Sequence, residues 1–172
     1  VEFYKEFEDL VAEPLTAVIQ EVQNVGTLPR SMRSGTISVI YKKGDTREVR
    51  NYRPITLLNV DYKIMTKVMV ARLKTVMDEI VSPPQLGFVP GRVITEATHM
   101  LNLVEALADE EDAEGLIIAA DWEKAFDRVS WDYLHEALPA LGFGPKFGKW
   151  IRSMYHEDCP PLRRVRANGQ LS

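Results

Sequence analysis

The 172-residue sequence has one cysteine, Cys159, so no internal disulfide can form, and no Cys-x-x-Cys pair exists to hold zinc. A reducing, intracellular setting, nucleus or cytoplasm, is expected. Nothing approaches the ~18 apolar residues of a membrane span; the longest purely aliphatic stretch in mid-chain is Leu116 to Ala120. The first residues, Val-Glu-Phe-Tyr-Lys-Glu-Phe-Glu, have neither the basic start nor the apolar stretch of a signal peptide. They also lack an initiator Met, so the chain is expected to be a piece of something longer. There is no Gly-x-Ser-x-Gly elbow, and His99, His135 and His156 are scattered. Residues 142–149 miss the phosphate-loop spacing and its final Ser or Thr. Hydrolase and P-loop chemistry are excluded.

What remains is 45% apolar and 27% charged, with 10 Gly and 10 Pro, which suits one globular core or two small lobes and rules out disorder, collagen and coiled coil. The net charge of -4 argues, as an average, against a nucleic-acid partner. The average hides a pattern: residues 1–27 carry -5, residues 28–95 carry +7, residues 96–120 carry -7 and residues 121–172 carry +1. A basic stretch is as readily a solvated face as a binding site, so the placement of individual charges must decide.

Phe3, Phe7, Leu10, Val11, Leu15, Val18, Ile19 and Val22 recur at helical spacing, interrupted by Pro14, and predict a kinked helix or two short ones that end at Gly26 and Pro29. Thr36 to Tyr41 reads as a strand, Lys43-Gly44-Asp45 as a turn, and Pro54 to Leu58 as a short returning strand. Asn59 is a plausible N-cap for the most regular helix, with Val60, Ile64, Met65, Val68, Met69, Leu73, Val76, Met77 and Ile80 on its core face and Pro83-Pro84 as its stop. A loop over 85–93 leads to a helix over 94–108 with Met100, Leu101, Leu103, Val104 and Leu107 inward. Leu116 to Asp121 has the uninterrupted apolar character of a strand buried on both faces. Helices follow over 131–141 and 145–155. A strand over 162–167 then meets the hairpin signal Asn168-Gly169, whose second strand is expected to be cut off.

An acid at the end of a buried aliphatic strand, Asp121, is costly unless it is paired, hydrogen-bonded or bound to a metal; an Asp capping the next turn is the bland alternative. Its neighbours bear on the choice. The run Asp121-Trp-Glu-Lys-Ala-Phe-Asp-Arg-Val129, with Asn51-Tyr-Arg-Pro-Ile-Thr-Leu-Leu-Asn59, closely resembles the reverse transcriptases of LINE-type (non-LTR) retrotransposons. Between them, Tyr62-Lys-Ile-Met65, Ala71-Arg-Leu73 and Gln85-Leu-Gly-Phe-Val-Pro-Gly-Arg92 follow in the family's order and at suitable spacing. The resemblance runs from about Leu28 to the C-terminus, and several motifs in order are far more specific than one.

The resemblance implies an α+β fold with right-hand polymerase-like fingers and an incomplete palm, preceded by a helical N-terminal extension. The division would be 1–27 extension, 28–114 fingers and 115–172 partial palm. It implies two-metal nucleotidyl transfer with Mg²⁺ or Mn²⁺, hard ions that take carboxylate oxygens. Asp121 would be the first metal-binding and catalytic aspartate, with the backbone carbonyl of Trp122 as a further ligand. Phe126 would sit under the sugar and exclude a ribose 2′ hydroxyl. Lys42 and Arg53 would grip the triphosphate, the guanidinium in bidentate fashion and the ammonium as a point charge. Gln85, Gly87 and Arg92 would lie along the template. Phe88 belongs to the same loop and reads as its core anchor ahead of a base-stacking platform, the other use of an aromatic beside a single strand. Asp127 reads as fixing the turn after the strand. Lys43, Arg47, Arg50 and Lys124 read as surface charge.

The implied partners are an RNA template, a DNA primer and deoxynucleoside triphosphates, with no membrane. The family's glycine-rich block and its aromatic-x-Asp-Asp turn are expected downstream, in a missing C-terminal remainder. No Asp-Asp pair occurs in the 172 residues, so this chain by itself is expected to be inactive. It should also be poorly soluble, because the edge beside the Asp121 strand would lack its neighbour. The alternative is a non-catalytic, nucleic-acid- or nucleotide-binding remnant of such an enzyme. A group II intron-type enzyme fits less well, because Arg53-Pro54 continues Ile-Thr-Leu-Leu-Asn in the LINE manner.

Overall fold

The computed structural model describes residues 2–158, 160–167 and 170–171; Cys159 and the Asn168-Gly169 turn lie outside them. Helix and sheet are mixed, as expected, and the chain divides into two compact units, residues 1–67 with 130–172, and residues 68–129. Among the described residues no helix is long and apolar enough to cross a membrane.

The first unit opens with α1 (Glu2–Glu6) and α2 (Glu8–Val25). The break falls at Phe7 and not at Pro14, which α2 carries in its second turn. A proline there removes one backbone donor, and the apolar row that follows keeps the helix seated. Gly26 ends α2 in the left-handed conformation, φ 87°, with its N–H on the Val22 carbonyl at 2.8 Å, a backbone a β-carbon would strain. Lys149 Nζ donates to the Asn24 carbonyl at 2.8 Å and so places a cation at the negative end of α2.

Next come α3 (Arg30–Arg33), β1 (Ser34–Tyr41), β2 (Tyr52–Leu58) and the start of α4 (Val60–Lys74). The same unit closes with α7 (Trp131–Ala140), α8 (Pro145–Met154), β3 (Leu162–Ala167) and β4 (Gln170–Leu171). Val22, Leu28, Met32 and Met65 form its small core, with Leu15, Ile19, Tyr62, Trp150 and Met154 packed around them. Burial, and then the charge of nearby Tyr155, push the Tyr62 phenol above its usual pKa, and its hydroxyl meets the Met154 sulfur at 3.5 Å. Asn59 does not cap α4 with its side chain. Its Nδ2 donates instead to the Ser31 carbonyl at 2.8 Å, tying α4 to α3, while its own carbonyl accepts the Lys63 N–H.

The sheet of this unit has strand order β2-β1-β3-β4. β1 and β2 form an antiparallel hairpin, whereas β3 runs parallel to β1, with Thr36 opposite Arg164 and Ser38 opposite Arg166. The second strand that the sequence reading expected to be cut off is present as β4, which pairs antiparallel with the end of β3. Gly35 makes a close approach possible: a β-carbon there would stand 2.8 Å from Thr56 Cγ2 and 3.0 Å from Leu58 Cδ2.

The second unit holds the end of α4, then α5 (Met77–Ile80) and α6 (Thr95–Glu110). One long helix was expected over 60–80. It breaks after Lys74, where the Thr75 hydroxyl donates to the Arg72 carbonyl at 2.8 Å and competes with the helical ladder. Within the predicted core face, Met65 is buried but Val68 is exposed. Met100, Leu101, Leu103, Val104 and Leu107 of α6, expected inward, are exposed as well.

Leu116 to Asp121 is not a strand. The segment pairs with no other strand among the described residues, and Leu116, Ile117 and Ile118 are exposed. A strand buried on both faces requires neighbours to take its backbone groups; without them the aliphatic pattern alone does not make one.

Candidate functional site

Side chains alternate along a strand, and residues opposite each other across a ladder share a face. In the hairpin Tyr41 faces Tyr52 and Ile40 faces Arg53. The Lys42 N–H extends the ladder by one step, donating to the Asn51 carbonyl at 2.8 Å. Alternation then puts Lys42 and Ile40 on the face of Arg53, and a diagonal pair of this kind has β-carbons about 7 Å apart. Both predicted triphosphate residues are exposed.

The opposite face ties down the connecting loop. The Tyr41 and Tyr52 rings meet edge to face at 5.7 Å. The Tyr41 hydroxyl donates to the Gly44 carbonyl at 2.6 Å and the Tyr52 hydroxyl to the Thr46 carbonyl at 2.8 Å, while Asn51, across from Lys42, adds a bond from its Nδ2 to the Asp45 carbonyl at 2.8 Å. Gly44 adopts φ 94°, and a β-carbon there would run into the Asn51 side chain.

The basic loop therefore sorts into two kinds of cation. Arg47 is spent on Asp45 through Nε and Nη2, the latter at 2.8 Å, and this bond holds the Asp45 carboxyl below its ordinary value. Because that value is depressed, the pairing is present at neutral pH and is lost as the pH falls through the carboxyl's lowered pKa. Arg50 lies 3.5 Å from Glu48. Lys42, Lys43 and Arg53 have no ion-pair partner among the described residues.

In the second unit Asp121 is exposed, so the argument from a buried acid does not apply to it. Its carboxylate has no hydrogen-bond or ion-pair partner among the described residues. Trp122 is exposed before, and Phe126 within, a turn in which the Asp127 and Arg128 N–H groups donate to the Lys124 carbonyl and Lys124 takes φ 53°. The sequence suggests that Asp127 fixes that turn, but only its backbone N–H takes part; its carboxylate has no hydrogen-bond or ion-pair partner among the described residues. The Arg128–Glu123 pair, 2.9 Å, spans it.

Phe88 is not the anchor of its loop. It is 88% exposed at φ 65° and meets Phe126 edge on, ring centroids 6.0 Å apart. The buried residue of the loop is its neighbour Val89. This contact brings the Gln85–Arg92 loop against the motif that follows Asp121. Gln85 Nε2 donates to the Gly87 carbonyl at 3.1 Å. A β-carbon at Gly87 would make only ordinary contact with Gln85, whereas Gly91, φ 81°, sits where glycine is favoured.

Arg92 is the centre of the loop. Its side chain is 12% exposed, and Nη1 donates to the carbonyls of Ser82 and Gln85, both at 2.7 Å. Nη2 donates to the Val81 carbonyl at 3.0 Å and to Asp78 Oδ1 at 2.8 Å. A guanidinium suits this task because its planar fork serves several acceptors at once.

Comparison with known proteins identifies the family. Residues 40–172 match the family described as reverse transcriptase (RNA-dependent DNA polymerase). The chain is 37% identical over 155 residues to the transposon TX1 uncharacterized 149 kDa protein of Xenopus laevis, covering 90% of this chain and 12% of that protein. It is 31% identical over 157 residues to the probable RNA-directed DNA polymerase from transposon BS of Drosophila melanogaster, covering 88% of this chain and 17% of that one. With the RNA-directed DNA polymerase from mobile element jockey of the same organism the identity is 34% over 126 residues, 70% of this chain and 14% of the relative. The chain thus spans less than a fifth of the length of these relatives.

Proposed function

Because the chain belongs to the reverse transcriptase (RNA-dependent DNA polymerase) family, we propose that it forms the fingers and leading part of the palm of an RNA-directed DNA polymerase of a non-LTR retrotransposon. In this reading residues 1–27 are an extension, 28–114 the fingers and 115–172 part of the palm. The substrates are an RNA template, a DNA primer and deoxynucleoside triphosphates. The observation that carries the reading is the shared face of Lys42 and Arg53, two exposed cations with no acidic partner among the described residues, next to Arg47 and Arg50, which have one each.

A triphosphate meets that face at two points. Arg53 offers two parallel N–H donors to phosphate oxygens and Lys42 adds a point charge, and charge-assisted bonds of this kind are the stronger ones. Asp121 is the carboxylate for a divalent cation. Among the described residues no three His, Cys, Asp or Glu side chains come together as a ready-made cage. Magnesium, however, binds through one or two carboxylates together with waters and substrate phosphates, and the unpartnered, exposed Asp121 suits that role as one donor, with the Trp122 carbonyl beside it. When bound, such ions favour ionisation of the attacking hydroxyl and stabilise charge on the departing pyrophosphate.

Phe126 presents a bulky, exposed ring to the sugar, with Phe88 against its edge. Gln85 and Gly87 offer the loop surface to the template. Arg92 serves that surface by shaping it, since its donors are already engaged by backbone carbonyls.

Steady-state nucleotide titration of the full-length protein tests the assignment. Arg53→Ala should raise the nucleotide KM by about 10-fold or more, the loss of a charge-assisted bidentate contact. Arg47→Ala should change it less than about 2-fold, because an exposed ion pair with its own neighbour is worth little. Equal effects of the two substitutions contradict the assignment.

A further inference from the structure

The face that holds Lys42 and Arg53 does not end at β1. Register places Thr36 opposite Arg164 and Ser38 opposite Arg166 on β3, and Thr36, Ser38 and Ile40 alternate together on one side of β1. Arg164 and Arg166 therefore share the face of Arg53 and Lys42. Arg163, opposite Gly35, projects from the other face with Ile37 and Tyr41. The strands β1, β2 and β3 contain four arginines and no aspartate or glutamate. None of Lys42, Arg53, Arg164 and Arg166 has an ion-pair partner among the described residues, and all four are exposed.

Four like charges on one small face repel one another unless an anion lies across them. The remaining residues of the face are short hydroxyls, Ser34, Thr36 and Ser38, and exposed aliphatics, Ile40, Ile55, Leu57 and Leu162. An open face of this composition suits a partner with regularly spaced phosphates and apolar surfaces between them. The spacing also favours a strand over a single triphosphate. Arg164 and Arg166 stand about 6.6 Å apart along β3, and Arg53 lies two strand spacings across the sheet and two to four residues further along it, roughly 12 Å from Arg166 and 16 Å from Arg164 at the backbone.

We propose that Arg164 and Arg166 extend the Lys42–Arg53 face into a track for the phosphate backbone of a single-stranded nucleic acid. The inference rests on reading that face as phosphate-binding and widens it from one nucleotide to a strand. The arginines of β3 hold sugar-phosphate, and the aliphatics between the cations lie against sugars and bases. The strands of this face bring no Asn, Gln or aromatic side chain to it, and contacts to phosphate carry no sequence information, so binding is indifferent to sequence and strongly dependent on salt.

The test uses the full-length protein and a fluorescein-labelled 20-nucleotide polyuridine RNA, followed by anisotropy with neither metal nor nucleotide present. Each single-strand phosphate contact contributes about 0.7 to the slope of log K against log salt, so Arg164→Gln/Arg166→Gln should lower that slope by about 1.4 and weaken binding about 25-fold at 0.1 M salt. The charge-matched control Arg163→Gln/Arg47→Gln removes as much positive charge from elsewhere and should bind within about 2-fold of the parent. Arg164→Lys/Arg166→Lys keeps the charge and should retain most of the binding, which separates lost contacts from lost folding. Unchanged binding by the Gln pair, an equal loss in the control, or an equal loss in the Lys pair overturns the proposal. Displacement of the RNA by inorganic tripolyphosphate at equal phosphate concentration also overturns it, because that marks a single-triphosphate site. If RNA binding ignores Arg164 and Arg166 while Arg53→Ala still raises the nucleotide KM, this inference fails and the polymerase reading stands.

Discussion

Asp121→Asn in the full-length protein should lower RNA-templated DNA synthesis by roughly a thousand-fold, about 4 kcal/mol of transition-state stabilisation, as expected when a carboxylate ligand of a catalytic cation becomes a neutral amide. The same change should leave the melting temperature almost untouched. Asp121 is exposed and its carboxylate bonds to nothing among the described residues, and surface substitutions free of such ties usually stay within about 0.5 kcal/mol. The two readouts separate the roles: a structural aspartate would lose stability and rate together. Rapid-quench measurement of single-nucleotide incorporation, beside a thermal melt, decides the matter, and wild-type rates in the Asn variant remove Asp121 from the chemistry.

Arg92→Ala should have the largest effect on stability. The guanidinium serves the carbonyls of Val81, Ser82 and Gln85 and the Asp78 carboxylate at once, with a side chain 12% exposed. Asp78 is 84% exposed, so the ion pair itself is screened and Asp78→Asn should cost less than about 1 kcal/mol. The carbonyls matter more, since truncation leaves several acceptors facing a cavity in place of a donor. The expected loss is about 3 kcal/mol, read as a shift of the urea midpoint. Arg92→Lys should recover only part of it, because an ammonium has no planar fork. If Arg92→Ala denatures at the wild-type midpoint, the loop is held by something else.

Sequence and structure agree most closely where the determinants are local. Gly26 stops α2, Ser130 caps α7 through the Tyr133 N–H, and Pro145 opens α8, each within a residue or so of where the sequence placed a boundary. The strand over 162–167 appears with the predicted bounds. The ordered motifs were also sufficient for the family, because several short motifs in sequence constrain one another.

The disagreements arise where distant residues decide. The apolar run before Asp121 contains no information about whether neighbouring strands are present, and it lies exposed. The parallel pairing of β1 with β3 joins segments more than a hundred residues apart, and without it nothing linked Arg164 and Arg166 to Arg53. The signal was in the alternation Leu-Arg-Arg-Val-Arg, but its faces acquire meaning only from the register. The sequence favours Phe88 as a core anchor over a base-stacking platform. The loop instead buries Val89, and a left-handed backbone turns the phenylalanine ring toward Phe126. Likewise, the separation of Arg53 from Arg47 and Arg50 became physical once Asp45 and Glu48 were seen to hold the latter two.

Primer extension by the full-length protein on a DNA primer annealed to an RNA template, with the four deoxynucleoside triphosphates and Mg²⁺, decides whether the protein is an RNA-directed DNA polymerase. The expected product is DNA complementary to the template, lost when the RNA or the metal is withheld. A folded, RNA-binding protein that extends no primer under these conditions contradicts that assignment.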